Sequence, residues 1–288
     1  MTARDHWQSR VPSALRSSGF TLLELAVVVA VITLMIGSLL VPLTTQVNQR
    51  NVTETERRLE EARQALLGYA MAHGRFPCPA SNASNGVESF AGGSSAVDGG
   101  CSDFFDGFVP AVTLGLNNLD ANGYMVDGWG LQQNRIRYAI SNATVPKVDQ
   151  SPTTDCVALP ANCLPNALTR NNGMQQVGMT NLAYTPPNPA PNVKHLYVCA
   201  STPTGANDCG AALPLADGTA AFMVYSLGKN ASEPTSGAGA DEAENLDNDR
   251  VFISKTASSA AGAEFDDIVV WTSVNTLISR LVAAGQLP

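Results

Sequence analysis

The chain has 288 residues, long enough for one or two domains with a proper core. Only 15% of them are charged, and the balance is acidic, at −8. That excludes a nucleic-acid binder of the usual kind, which carries basic clusters. Gly, Pro, Asn, Ser and Thr are spread through the middle, as in a loop-rich extracytoplasmic domain.

The first 19 residues, MTARDHWQSRVPSALRSSG, carry Arg4, Arg10 and Arg16 against Asp5. Residues 20 to 41 then hold no charge except Glu24. As a helix they would span roughly 33 Å, about the thickness of a bilayer core. The basic flank orients such a segment with its N-terminus in the cytoplasm. The apolar run is too long for a signal-peptide core, and no small-x-small cleavage site follows it. A plain signal anchor leaves Glu24 unexplained, since a carboxylate at mid-membrane costs about 2.5 to 3.5 kcal/mol.

The stretch SSGFTLLELAVVVAVI resembles the class III signal of type IV prepilins and type II secretion pseudopilins. A basic leader ends in Gly19, and Phe20, Thr21, Leu22, Leu23 and Glu24 follow in that family's order. The resemblance implies cleavage between Gly19 and Phe20 by a prepilin peptidase, and N-methylation of Phe20. It implies assembly with other pilin or pseudopilin subunits on an inner-membrane assembly platform. Before assembly the helix would sit in membrane lipid. The expected placement is single-pass in the inner membrane, with a cytoplasmic N-terminus and a periplasmic C-terminal domain, and then in a periplasmic or surface filament. Glu24 would pair with the Phe20 ammonium of a neighbouring subunit in a low-dielectric core.

Pro42 should kink the helix rather than stop it. Helical pattern resumes at once. Val52, Leu59, Ala62, Leu66, Tyr69 and His73 form one stripe of helical period, and Glu54–Arg58 and Glu60–Arg63 can pair on the outer face. Gly74 and Pro77 end it. The expected organisation is a leader at 1–19, a transmembrane or filament-core helix at 20–43, its amphipathic half at 44–76, and a globular domain at 77–288.

Beyond the helix, strands are predicted at 135–140, 195–200, 220–228 and 266–273, and an amphipathic helix at VNTLISRLVAAG. The predicted fold is α+β: a long N-terminal helix, half transmembrane and half amphipathic, packed on an antiparallel sheet. It is loop-rich and stabilised by disulfides. VDGWGLQQNRIRYAI, 126–140, is similar to the Asp-Pro-Trp-Gly block of major pseudopilins, with Gly128 where they have proline. The chain is longer than a major subunit, which favours a minor one.

Six cysteines, none in a C-x-x-C pair, argue against zinc ribbons and for disulfides. Fifteen pairings are open. Sequence neighbours would join Cys78 to Cys101, Cys156 to Cys163 and Cys199 to Cys209.

The acidic run holds Asp241, Glu242, Glu244, Asn245, Asp247, Asn248 and Asp249, with Asp266 and Asp267 opening the next strand. Such clustered oxygen ligands suit Ca²⁺, though not in an EF-hand order. The loop also resembles the calcium loop of pseudopilins. Calcium is the one cofactor expected, against a solvated acidic loop as the plainer alternative.

Nothing points to catalysis. His6 lies in the leader, His73 at a helix end and His195 at a strand start, and no G-x-S-x-G surrounds a serine. Trp129 and Trp271 read as core or interface anchors. The expected function is therefore a non-enzymatic filament subunit. The alternative is a signal-anchored periplasmic binding or enzymatic domain that does not polymerise.

Overall fold

The computed structural model describes residues 21–184, 195–204, 207–231, 239–260 and 262–287, without the side chains of 37–44. The leader, Gly19 and Phe20 lie outside the described residues. Two compact units emerge, Met1–Asn48 and Gln49–Pro288.

Helix α1 runs Leu22–His73. Thr21 and Glu24 start it with a reciprocal capping pair. Thr21 Oγ1 accepts from the Glu24 amide at 3.2 Å, and the Thr21 amide donates to Glu24 Oε2 at 3.3 Å. Two donors that a helix start leaves orphaned are thereby satisfied. Pro42 falls inside α1, but the expected kink lies where side chains are not described.

The transmembrane expectation is overturned. Among the described residues no helix is long and apolar enough to cross a membrane. The described apolar side chains of its N-terminal part reach only from Leu22 to Ile36, about 22 Å of helix, and include Glu24 and Thr33. A span takes about 20 predominantly apolar residues. The transmembrane half of the fold, and with it the single-pass inner-membrane placement and its cytoplasmic and periplasmic sides, is not retained.

In the second unit, Leu59, Ala62, Leu66, Leu67 and Ala70 of α1 are buried, as the stripe predicts for three of them. Val52 and Tyr69 are only half-buried, and His73 is exposed. The expected pairs Glu54–Arg58 and Glu60–Arg63 form, each at 2.7 Å, but both guanidinium groups are mostly covered rather than on an outer face.

After α1 come β1 (Gly107–Phe108), α2 (Ala111–Leu114), β2 (Arg137–Ile140), β3 (Val145–Pro146), β4 (Cys163–Leu164) and α3 (Gly173–Ala183). Then follow β5 (Leu196–Cys199), β6 (Pro214–Ser226), α4 (Ala240–Glu244), β7 (Val251–Ile253), β8 (Ile268–Ser273) and α5 (Val274–Ala283). The main sheet runs β1-β2-β6-β5-β7, with β8 also on β6. Phe222 pairs with Ile140 on one side and Thr272 on the other, and Ala220 with Leu196 and Ser273. So β2 and β5 share one edge of the long β6 in tandem, and β8 takes the opposite edge.

The sheet is mixed rather than antiparallel. β7 lies parallel to β5, with Tyr197 opposite Val251 and Cys199 opposite Ile253. A parallel pair needs a crossover, which here passes through β6 and α4.

Alternation along the strands splits the core. Tyr138, Ile140, Phe222 and Val224 face α1, α3 and α5, with Phe76 against Phe222 at 4.9 Å. Ala139, Met223, Tyr225 and Phe252 face the other side, against Trp271.

All six cysteines are bridged, as Cys78–Cys101, Cys156–Cys163 and Cys199–Cys209. The first joins the segment after α1 to Cys101, 23 residues on, which forms a β-bridge with Phe90, and both cysteines are buried. Replacing both Cys78 and Cys101 by Ser should lower unfolding stability by about 3 kcal/mol. A non-reducing urea titration measures it, and an unmoved midpoint would contradict a structural role.

Candidate metal centre

The end of β6, the start of β8 and helix α4 converge on a group of carboxylates. Glu242, Asp266 and Asp267 place oxygens within 4.8 Å of one another. Glu242 and Asp267 are buried, and Asp266 is half-buried. Gly228 makes the approach possible. Its φ is +66°, and a Cβ there would stand 2.2 Å from Asp266 Oδ1.

Each carboxylate is held by hydrogen bonds. Glu242 Oε1 accepts from the Asp266 amide at 2.8 Å, and Oε2 accepts from Asn230 Nδ2 at 2.9 Å. Asp266 Oδ2 accepts from the Lys229 amide at 3.1 Å. Asp267 Oδ2 accepts from Asn245 Nδ2 at 2.7 Å. The buried Asp266 Oδ1 accepts no hydrogen bond among the described residues.

Burial and like charge make the Asp266 and Asp267 carboxyls give up their protons less readily. Desolvation first, then Glu242 and Asp266 beside it, push the Asp267 carboxyl up to about 8. Desolvation and Glu242 push Asp266 up to about 6. Uncompensated, Asp267 holds its proton near neutrality; a cation would replace it. Three oxygen-only side chains at this spacing, one with an unused buried oxygen, fit a hard divalent ion such as Ca²⁺. Glu242, Asp266 and Asp267 would hold it, and the ion would supply charge neutralisation.

The structure divides the acidic residues differently from their order in the chain. Glu244, Asp247 and Asp249 form a second group at the surface. Desolvation, with Asp247, Asp249 and Asp241 nearby, pushes Glu244 up to about 7. The loop serves itself there: Asp247 Oδ1 accepts from the Asp249 amide, and Asp249 Oδ1 from the Val251 amide. Asp241 places no oxygen in either group. It is paired with Lys255 and accepts from the amide and hydroxyl of Thr202 at 2.7 and 2.8 Å. Asn245 is a tether, accepting from the Ile253 amide at 2.7 Å while donating to Asp267. Asn230 and Gly228 were not singled out by the sequence, because neither lies in the acidic run.

His195 is buried and far from nucleophilic work. Leu182 O can only accept, so Nε2 carries the proton at 3.2 Å and Nδ1 accepts from Ser141 Oγ at 2.9 Å. Burial pushes its ring down to about 4.

These shifts set a pH dependence. Asp267 and Glu244 sit above their ordinary values, so the folded chain holds their protons more tightly than the unfolded chain. Their contribution is complete below about pH 4 and is lost as pH rises through 7 to 8. His195 works in the opposite sense, but only between about 4 and 6.5. Between pH 6.5 and 8.5, thermal unfolding in chelator should therefore move to lower temperature, and millimolar calcium should cancel the decline. Asp267→Asn should flatten the chelator curve and weaken the calcium response. Identical curves with calcium and chelator would exclude the ion.

No family model, curated protein or solved structure matches the chain, so its own residues carry the functional reading.

Proposed function

We propose that this chain is a non-enzymatic subunit of a filament of the type IV pilin or pseudopilin kind, assembled through α1. One observation carries the reading. Every described side chain from Leu22 to Ile36 is exposed, with Leu22 at 88%, Leu23 at 76% and Leu34 at 74%. A continuous apolar helix surface left uncovered marks an interaction site. Copies of the same helix, packed side by side, would cover it with like surface. The residues around it support that use: a basic leader, Gly19, Phe20 and Glu24 stand in the order of a prepilin peptidase substrate.

Glu24 is the sole charge on this surface. In the single chain it caps its own helix with Thr21. In a filament, after cleavage, it would also neutralise the Phe20 ammonium of a neighbour. An ammonium buried without its partner costs roughly 3 to 5 kcal/mol, enough to stop a polymer. The other partners implied are the peptidase and an assembly platform.

The intact mass of the mature chain tests the processing step. A product beginning at methylated Phe20 is expected, and Gly19→Val should leave an uncut chain beginning at Met1. An uncut wild-type chain would overturn the reading.

Capping and pairing separate at Glu24. Gln caps a helix as Glu does but carries no charge. Glu24→Gln should keep a helical N-terminus and yet be lost from sheared filaments, as should Glu24→Val. Normal co-purification of Glu24→Gln with filaments would reduce Glu24 to a cap.

A further inference from the structure

Helix α1 is held within the second unit by two different means. From Leu59 to Ala70 the hold is apolar: five fully buried side chains sit in the core beneath the sheet. From Asn51 to Arg58, Thr55 is the one buried residue. There the hold is a set of hydrogen bonds to a single turn, Val126–Gly130.

The geometry of that hold is specific. Thr55 Oγ1 accepts from the Gly128 amide at 2.9 Å and donates to Asn51 O at 2.8 Å. Arg58 Nη1 donates to the carbonyls of Val126 and Asp127, each at 2.8 Å, and Glu54 steadies the guanidinium at 2.7 Å. A Cβ on Gly128 would lie 2.1 Å from Asn51 O, so the turn rests directly on the helix backbone. The turn is itself fixed to the sheet. The buried Asp127 carboxylate accepts from Ser226 Oγ at 2.5 Å, Asn134 Nδ2 at 3.0 Å and the Trp129 amide at 2.9 Å.

We propose that the Val126–Gly130 turn is a releasable clasp, from which residues 51–58 of α1 open as a local unit while the apolar anchor stays closed. Water can replace each bond of the clasp when it opens, whereas opening the anchor would expose the core. The turn keeps its shape on release, because Asp127 binds it to β6 rather than to the helix. The clasp lies just past the boundary between the two units, at Asn48 and Gln49. It goes beyond the filament reading and does not depend on it.

Hydrogen exchange on the full chain tests it. In the wild type, amides of 51–58 should exchange about ten-fold or more faster than those of 62–70 and of β6. Thr55→Val keeps the side-chain shape and removes the hydroxyl. It should speed exchange at 51–58 by a further ten-fold or so and leave β6 and β8 unchanged. Gly128→Ala, which pushes the turn off the helix, should do the same. Equal protection of 51–58 and the anchor in the wild type would overturn the clasp. So would a uniform acceleration of all amides in both variants.

Discussion

The second unit depends on one constraint: the stripe Leu59, Ala62, Leu66 and Ala70 of α1 must be covered. Each such side chain gains roughly 1 to 3 kcal/mol on leaving water. The sheet supplies the cover through Tyr138, Ile140, Phe222 and Val224. β6 is central because it is paired on both edges and buried on both faces over its second half. Phe222 meets Phe76 and Tyr138 on one side, while Met223 and Tyr225 close a separate core on the other.

Polar features gather where β6 ends. Ser226 donates to Asp127, which shapes the turn resting on α1. Asn134 Nδ2 donates to Gly228 O at 2.6 Å and to Asp127. Gly228 in turn leaves the room that Asp266 occupies beside Glu242 and Asp267. The strand end thus serves two neighbouring sites with a few residues. One binds a helix through hydrogen bonds from the Gly128 amide and the Arg58 guanidinium. The other concentrates negative charge that burial makes costly to keep, and which protons or a cation must offset.

The first unit obeys the opposite logic. Its described side chains from Leu22 to Ile36 are all exposed, and apolar apart from Glu24 and Thr33. Thr33 Oγ1 donates to Val29 O, so its hydroxyl is satisfied within the helix. Glu24 and Thr21 likewise satisfy one another. The surface is therefore self-contained in its polar groups and uncovered in its apolar ones, a combination suited to packing against like surfaces.

Much of this was legible in the residues. Helical period, charge pairs three and four residues apart and Gly74 marked α1 and its end, apolar β-branched runs marked β2, β5, β6 and β8, and an amphipathic pattern marked the helix after them. These signals are local, so one chain suffices to read them. β1, β3, β4 and β7 escaped because each has only two or three residues, too few to show a period of two. α3 was hidden by Gly178, whose φ of +72° breaks the helix within. The parallel docking of β7, the choice of one disulfide pattern out of fifteen, and the division of the acidic run were decided only by tertiary structure. So was the use of Gly128 as a seat on α1. Each depends on which distant segments meet: Asp266 reaches Glu242 because β8 pairs with β6, and Asp241 is instead paired with Lys255 and Thr202. Residue type determined what these groups could bind, and chain topology determined what stood within reach.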